Sequence, residues 1–246
     1  MAQPVNRAIE FPTRARAIFT ILLLAVCLAS AGGACAESES SGDIELDHWF
    51  NEETKPGVPQ ASEGELVFLS PPPESRMLHS INTITLSRTS LDDGWVQLRQ
   101  CYKGLDAVPV AEVVYQYKKL RHLRIHSKAN IGQAVVREQT VQLNDVQHDA
   151  TLCIQADAQI LYPQANGRFL LRNGPFHRRF LDGYFPLHVS VDVQFPSTML
   201  HYVDTLPQAQ PGFKVDVKDE HLYIDTWFAG MLNIEVHFSG RRPGLD

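Results

Sequence analysis

Long apolar runs are missing from most of this chain, and cysteine is scarce, with four residues in 246. After the N-terminal leader no segment stays apolar over the roughly 20 residues that a membrane-crossing helix needs, so no transmembrane span is expected in the mature chain. Sustained three-four apolar spacing is also lacking, which argues for a body of strands rather than helices. Positive charge is in deficit, with 22 basic against 28 acidic residues, so nothing electrostatic points to nucleic acid. The G-x-S-x-G, S-x-x-K, H-E-x-x-H and G-x-G-x-x-G signatures and the phosphate-binding P-loop are all absent. Their absence removes positive support for the corresponding catalytic and nucleotide-binding classes, while a triad assembled from distant residues stays open.

The N-terminus does carry an apolar stretch. Arg7, Arg14 and Arg16 precede the run Ala17 to Leu28, and small residues follow from Ala29 to Ala36. A basic start, a short apolar core and an A-x-A site form the pattern of a secretory signal peptide, with cuts fitting after Ala31 or after Ala36. Residues 1–36 are therefore expected to be a leader and the mature protein periplasmic or secreted. The alternative is a lipoprotein cut before Cys35, lipid-anchored to the outer membrane, although Gly32 stands where such signals usually carry leucine. Of the remaining cysteines, Cys27 falls in the leader. Cys101 and Cys153 stay in the exported chain, where an oxidising compartment favours a disulfide between them. No C-x-x-C spacing supports a reactive or metal-binding pair.

The acidity is local. Glu37 to Glu65 holds nine acids and one base, Lys55, whereas from Leu66 onward 18 basic residues balance 18 acidic ones. Residues 37–65, polar and carrying Pro56 and Pro59, read as an acidic flexible arm. Ile44, Leu46, Trp49 and Phe50 within it form a short candidate docking element. Residues 66–246 are long enough to bury a sizeable core, either as one continuous body or as two small sandwich subdomains divided near residue 165.

Alternation with a period of two dominates the body. Its clearest run is Leu187 to Phe195, apolar at 187, 189, 191, 193 and 195 and polar at His188, Ser190, Asp192 and Gln194. Further strands are expected at Leu66–Leu69, Ile81–Leu86, Trp95–Cys101 after an Asp93-Gly94 turn, Val110–Tyr117, Leu120–His126, Val135–Leu143 and Ala150–Leu161. Asn166-Gly167 should join Ile160–Gln164 to Arg168–Arg172 as a hairpin, because both turn residues must take positive φ. That hairpin would tie the two halves of the chain into one sheet. Phe213 to Phe238 reads as a meander, pairing Val217 with Leu222, then turning through Ala229–Met231 to set Ile224 on Val236 and Asp225 opposite Glu235. The expected fold is all-β, an antiparallel β-sandwich.

Candidate sites are few. The most singular segment is Asn173 to Pro186, where Phe176, Phe180, Tyr184 and Phe185 stand beside Arg178 and Arg179. Aromatics with arginine are what contact surfaces use, so Phe176, Arg178, Arg179, Phe180 and Tyr184 are the expected binding residues; a plug for the sandwich end is the structural alternative. Lys118, Lys119, Arg121, Arg124 and Lys128 form a basic run read as a solvated, lysine-guarded strand edge. Among ten histidines, His122 and His126 share a strand face but stand about 13 Å apart. His177, His188 and His221 lack paired spacing, so no metal and no cofactor is expected. The expectation is a non-enzymatic binding, scaffolding or assembly module of the cell envelope, its partner an envelope protein or surface polymer. The alternatives are an envelope enzyme acting on glycan or lipid through residues such as Asp225 and Glu235, or a small-molecule or metal carrier.

Overall fold

The computed structural model describes residues 63–74, 77–181 and 183–240. In chain order the strands are β1 (Val67–Phe68), β2 (His79–Thr85), β3 (Trp95–Leu105), β4 (Val108–Val114), β5 (Leu120–Arg137), β6 (Thr140–Gln159), β7 (Leu161–Gln164), β8 (Arg168–Phe176), β9 (Arg178–Phe180), β10 (Gly183–Phe185), β11 (Leu187–Gln194), β12 (Leu200–Leu206), β13 (Phe213–Lys218), β14 (His221–Ala229) and β15 (Leu232–Gly240). One six-residue helix, α1 (Arg88–Asp93), lies between β2 and β3. The all-β sandwich expected from the alternation is the observed architecture. The expected leader, Cys35 and the Ile44–Phe50 element lie outside the described residues.

The large sheet runs β1-β14-β11-β2-β3-β6-β4, with β13 also on β14 and β5 also on β6; the small sheet runs β12-β15-β8-β7, and β9 and β10 form a separate ribbon. Pairing is antiparallel except between β11 and β2. Strand β11 lies near the middle, and its alternate residues Leu187, Val189, Val191 and Val193, with Phe195 just beyond its end, are all buried. Each such side chain contributes roughly 1.5–3 kcal/mol relative to exposure. From the large sheet Ile84, Leu98, Ile224 and Phe228, and from the small sheet Leu171, Leu200, Val236 and Phe238, join these residues in one core.

The chain changes sheets at Ile160, which is buried and donates its N–H to the carbonyl of Gly94 at 3.1 Å. The Asn166-Gly167 hairpin forms, with Gln164 opposite Arg168 and φ of 61° and 69° at the two turn residues. It lies wholly within the small sheet. The two halves of the chain are instead joined side by side in the large sheet, where β2 lies beside β11 and β1 beside β14.

Strand β6, 20 residues long, is a spine. Strands β3 and β4 follow one another along one of its edges, and β5 runs the length of the other. A second apolar cluster gathers here, including Tyr115, Ile131, Val141, Leu143, Leu152 and Ile154. The expected strand Val135–Leu143 is divided by a turn at Glu138 and Gln139, where Glu138 takes φ 51°.

The β13–β14 register is the expected one, with Phe213 on Thr226, Val215 on Ile224 and Val217 on Leu222. The expected β14–β15 hairpin does not form. Strand β14 already pairs β11 along one edge and β13 and β1 along the other, which leaves no edge for β15. Gly230, at φ +90° and with the Glu65 carbonyl 1.9 Å from where a Cβ would sit, carries the chain into the small sheet. There β15 pairs with β12 and β8. The apolar sets of β14 and β15 face each other through the core, an arrangement that satisfies the same alternation.

Cys101 and Cys153 face each other directly on β3 and β6 and are bonded. The bridge closes a loop with a sequence separation of 52. Replacing both cysteines by serine is expected to lower the unfolding free energy by about 2–4 kcal/mol, through the greater freedom of the unfolded chain. The register should survive, because the pairs from Trp95–Gln159 to Lys103–Thr151 hold it. Denaturant unfolding with a far-ultraviolet circular dichroism spectrum checks both statements.

Candidate functional site

A cleft of about 730 Å³ opens between β4, the end of β3 and the segment running from β8 into the β9–β10 ribbon. Its walls include Tyr102, Tyr115 and Tyr117 beside Val108, Ala111, Val113, Phe176 and Leu187. Burial pushes all three phenols above their ordinary range, so they stay neutral. The Tyr117 hydroxyl donates to Asn173 Oδ1 at 2.8 Å. The Tyr115 hydroxyl is buried against the Tyr102 side chain, and the Nδ1 of His177 is buried with no hydrogen-bond partner among the described residues; both residues line the cleft. His177 is held neutral, its pKa lowered by burial and then by the charge of Arg179.

The far wall is positioned by a bend and a clip. At Gly174, φ is +127° and an added Cβ would lie 2.8 Å from the Leu232 carbonyl; only glycine fits this bend within β8, where the register against β15 shifts. Arg178 then reaches back to Asp106, in the β3–β4 turn, with Nη2 donating to Oδ1 at 2.7 Å and Nε to Oδ2 at 3.1 Å. Such a fork fixes orientation as well as distance. Beyond the clip Phe180 is 61% and Leu181 80% exposed, and across the cleft Val110 is 68% and Val114 54% exposed.

Strand β4 contributes its edge as well as its side chains. Every residue from Val110 to Tyr117 lines the cleft, where alternation alone would supply only every second one. Tyr115 donates its backbone N–H to Gln139 O at 2.9 Å. Following that phase through the unbroken pairing of Val110 to Val114 with β6 turns the backbone N–H and C=O of Val110, Glu112 and Val114 away from β6. Strand β4 ends the sheet, so these groups face the cleft with no neighbouring strand among the described residues.

A second constellation lies on the outer face of the large sheet. Because β11 pairs on both sides, Trp227, His188 and His79 stand in one row, and Asp225 and Ser190 in the next. His188 Nε2 lies 2.7 Å from Asp225 Oδ1. Ser190 Oγ donates to the same oxygen at 2.7 Å and lies 2.8 Å from His79 Nε2. The imidazoles of His79 and His188 stack at 3.6 Å, and the Trp227 indole covers His188 at 4.2 Å. Burial would raise the Asp225 carboxyl, but hydrogen bonds from His188 and Ser190, with the charges of His188 and His79, hold it below its ordinary value. His79 is pushed down to about 4, first by burial and then by His188, with Asp225 opposing and Lys103 adding.

Of the residues expected to bind, Phe176, Arg178, Arg179 and Phe180 line the cleft. Tyr184 stands behind it, edge-on to His177 at 5.7 Å and under the Arg179 guanidinium at 5.7 Å. Asp225 and Glu235 are not brought together: Asp225 belongs to the His188 cluster, whereas Glu235 accepts from Arg172 Nε at 2.8 Å in the small sheet. The basic run serves its own sheet. Arg121 pairs with Asp157 and covers Trp95, Arg124 donates to Gln155, and Lys128 donates to the carbonyls of Ile131 and Gly132. Sequence reasoning missed the edge of β4 and the meeting of His79 with His188. Each depends on pairings between strands distant in sequence, and only the isolated alternation of Val110–Tyr117 hinted at the first. No known family model matches the chain and no curated protein matches it in sequence.

Two outcomes follow from this geometry. Arg178→Ala removes the clip to Asp106, so amides of 176–185 should exchange with solvent faster by hydrogen–deuterium exchange mass spectrometry while β11 and β14 stay protected. The loss of overall stability should be only about 1 kcal/mol, since the pair is partly solvated. At His79 the folded pKa lies below the unfolded value, so between pH 6.5 and about 4 the unfolded chain binds a proton that the folded chain refuses. Stability is then lost as pH falls through that window. Thermal melts should show a smaller drop for His79→Gln than for the wild type across it; parallel curves would contradict the assignment.

Proposed function

We propose that the protein is an exported, non-enzymatic binding module of the cell envelope, whose cleft receives an extended polypeptide segment of an envelope protein as an added strand on β4. The observation that carries this reading is the edge of β4, which has no neighbouring strand among the described residues and forms a wall of a largely apolar cleft. Outward backbone donors and acceptors at Val110, Glu112 and Val114 match a main chain, and flanking apolar surface matches alternate side chains; together these are the parts of strand addition. An exposed, flat, apolar edge is otherwise an aggregation hazard that proteins blunt with charge or cover. Every residue from Val110 to Tyr117 lines the cleft, and a wall of that length favours a chain-like ligand over a carried small molecule. Export is supported by the leader pattern and by the Cys101–Cys153 bridge, which suits an oxidising compartment. No helix among the described residues is long and apolar enough to cross a membrane.

Peptides selected from a random display library on the full chain should alternate apolar residues with a period of two. Glu112→Pro deletes an outward N–H without touching the ladder to β6, so it should weaken the selected peptide at least tenfold by fluorescence anisotropy. Recovery of peptides with no such alternation, or unchanged affinity in a folded Glu112→Pro protein, would overturn the reading.

A further inference from the structure

We propose that His79, His188 and Asp225 form a binding site for a zinc-like transition-metal ion on the outer face of the large sheet, with Ser190 as a supporting oxygen. The site is separate from the β4 cleft and does not depend on its function. One ligand atom from each of the three residues lies within 4.8 Å of the other two. They come from β2, β11 and β14, adjacent strands whose backbones are held in register by continuous pairing, so the donors are placed by the sheet and not by mobile loops. Zinc bonds imidazole nitrogen at about 2.0–2.1 Å and carboxylate oxygen at about 2.0–2.2 Å. Donors at these separations close on one ion with side-chain rotation alone. The stacked imidazoles now point their nitrogens in parallel, so one ring must tilt to aim at a shared centre. Trp227 restrains His188 by stacking at 4.2 Å, which leaves His79 as the ring that tilts.

The donor set also selects the ion. Two imidazoles and a carboxylate suit zinc, nickel or copper, whereas calcium and magnesium want a shell of oxygens. Two lysines flank the site. Lys103 stands beside His79 on β3 and Lys214 beside Asp225 on β13. These cations oppose any dication alike, so binding must come from direct bonds to the imidazoles and the carboxylate. The other histidine–aspartate contacts, His122 with Asp157, His221 with Asp192 and His237 with Asp204, each bring only one imidazole and serve as internal controls.

The test is zinc titration of the full chain by isothermal calorimetry, paired with the absorption spectrum of cobalt(II) added in place of zinc. The expected result is one equivalent of zinc, with affinity reduced at least tenfold in His79→Gln and in His188→Gln and unchanged in His221→Gln. Glutamine keeps a polar side chain in the row, and matched far-ultraviolet spectra and melting temperatures without zinc show that each variant is folded. Lys103→Gln should move affinity the other way, tightening binding, a change that loss of structure would not produce. In the wild type cobalt should give visible bands of a low-coordinate nitrogen–oxygen site, and these should be missing in His188→Gln. The proposal is overturned if millimolar zinc does not bind, or if the zinc that binds is insensitive to both His79→Gln and His188→Gln.

Discussion

The register of β11, held between β2 on one side and β14 on the other, is the constraint on which the large sheet depends. Its inward residues from Leu187 to Val193 are buried, and a slip of one residue would expose all of them while burying His188, Ser190, Asp192 and Gln194. Such a slip forfeits on the order of 10 kcal/mol of apolar burial before the cost of desolvating the polar set. That penalty locks the outer face as firmly as the inner one. The rows Trp227–His188–His79 and Asp225–Ser190 are consequences of core packing on the opposite side of the same strands.

The same accounting of edges explains the rest of the topology. A strand has two hydrogen-bonding edges. In β14 both are occupied, which sends β15 into the second sheet and closes the sandwich. In β6 both are occupied along nearly its whole length, by β3 and β4 on one side and β5 on the other. Among the described residues the outer edges of β4 and of β5 have no neighbouring strand, and that of β4 borders the cleft. The chain places the β8–β10 segment opposite that edge, at a distance that leaves a cleft, and pins it with the fork between Arg178 and Asp106.

Much of this was legible beforehand, and the misses have a common origin. The faces of β2, β3, β11, β13 and β14 follow from alternation, and the turns at Asn166-Gly167 and between β13 and β14 follow from local chemistry. The arginine–aromatic segment stood out by composition, and four of its five named residues do line the cleft. Tyr184, chosen on the same aromatic–arginine composition, is not part of the lining and packs on His177 and Arg179. The Asp225–Glu235 pairing rested on assigning β15 to the edge of β14, and alternation cannot distinguish a neighbour in the sheet from a partner across the core. His79 and His188 are separated by more than a hundred residues, and no spacing rule could join them.

What the sequence alone determined was the strand character of the body, which face of each strand is buried, and the nearness of turn partners, because these depend on side-chain period and on residues adjacent in the chain. The tertiary structure decided which strands became neighbours. That choice is made by competition for a limited number of edges among segments far apart, settled by how the whole core closes. The open edge of β4 and the histidine–aspartate cluster both arise from that competition, so neither has a signature in any one stretch of the chain.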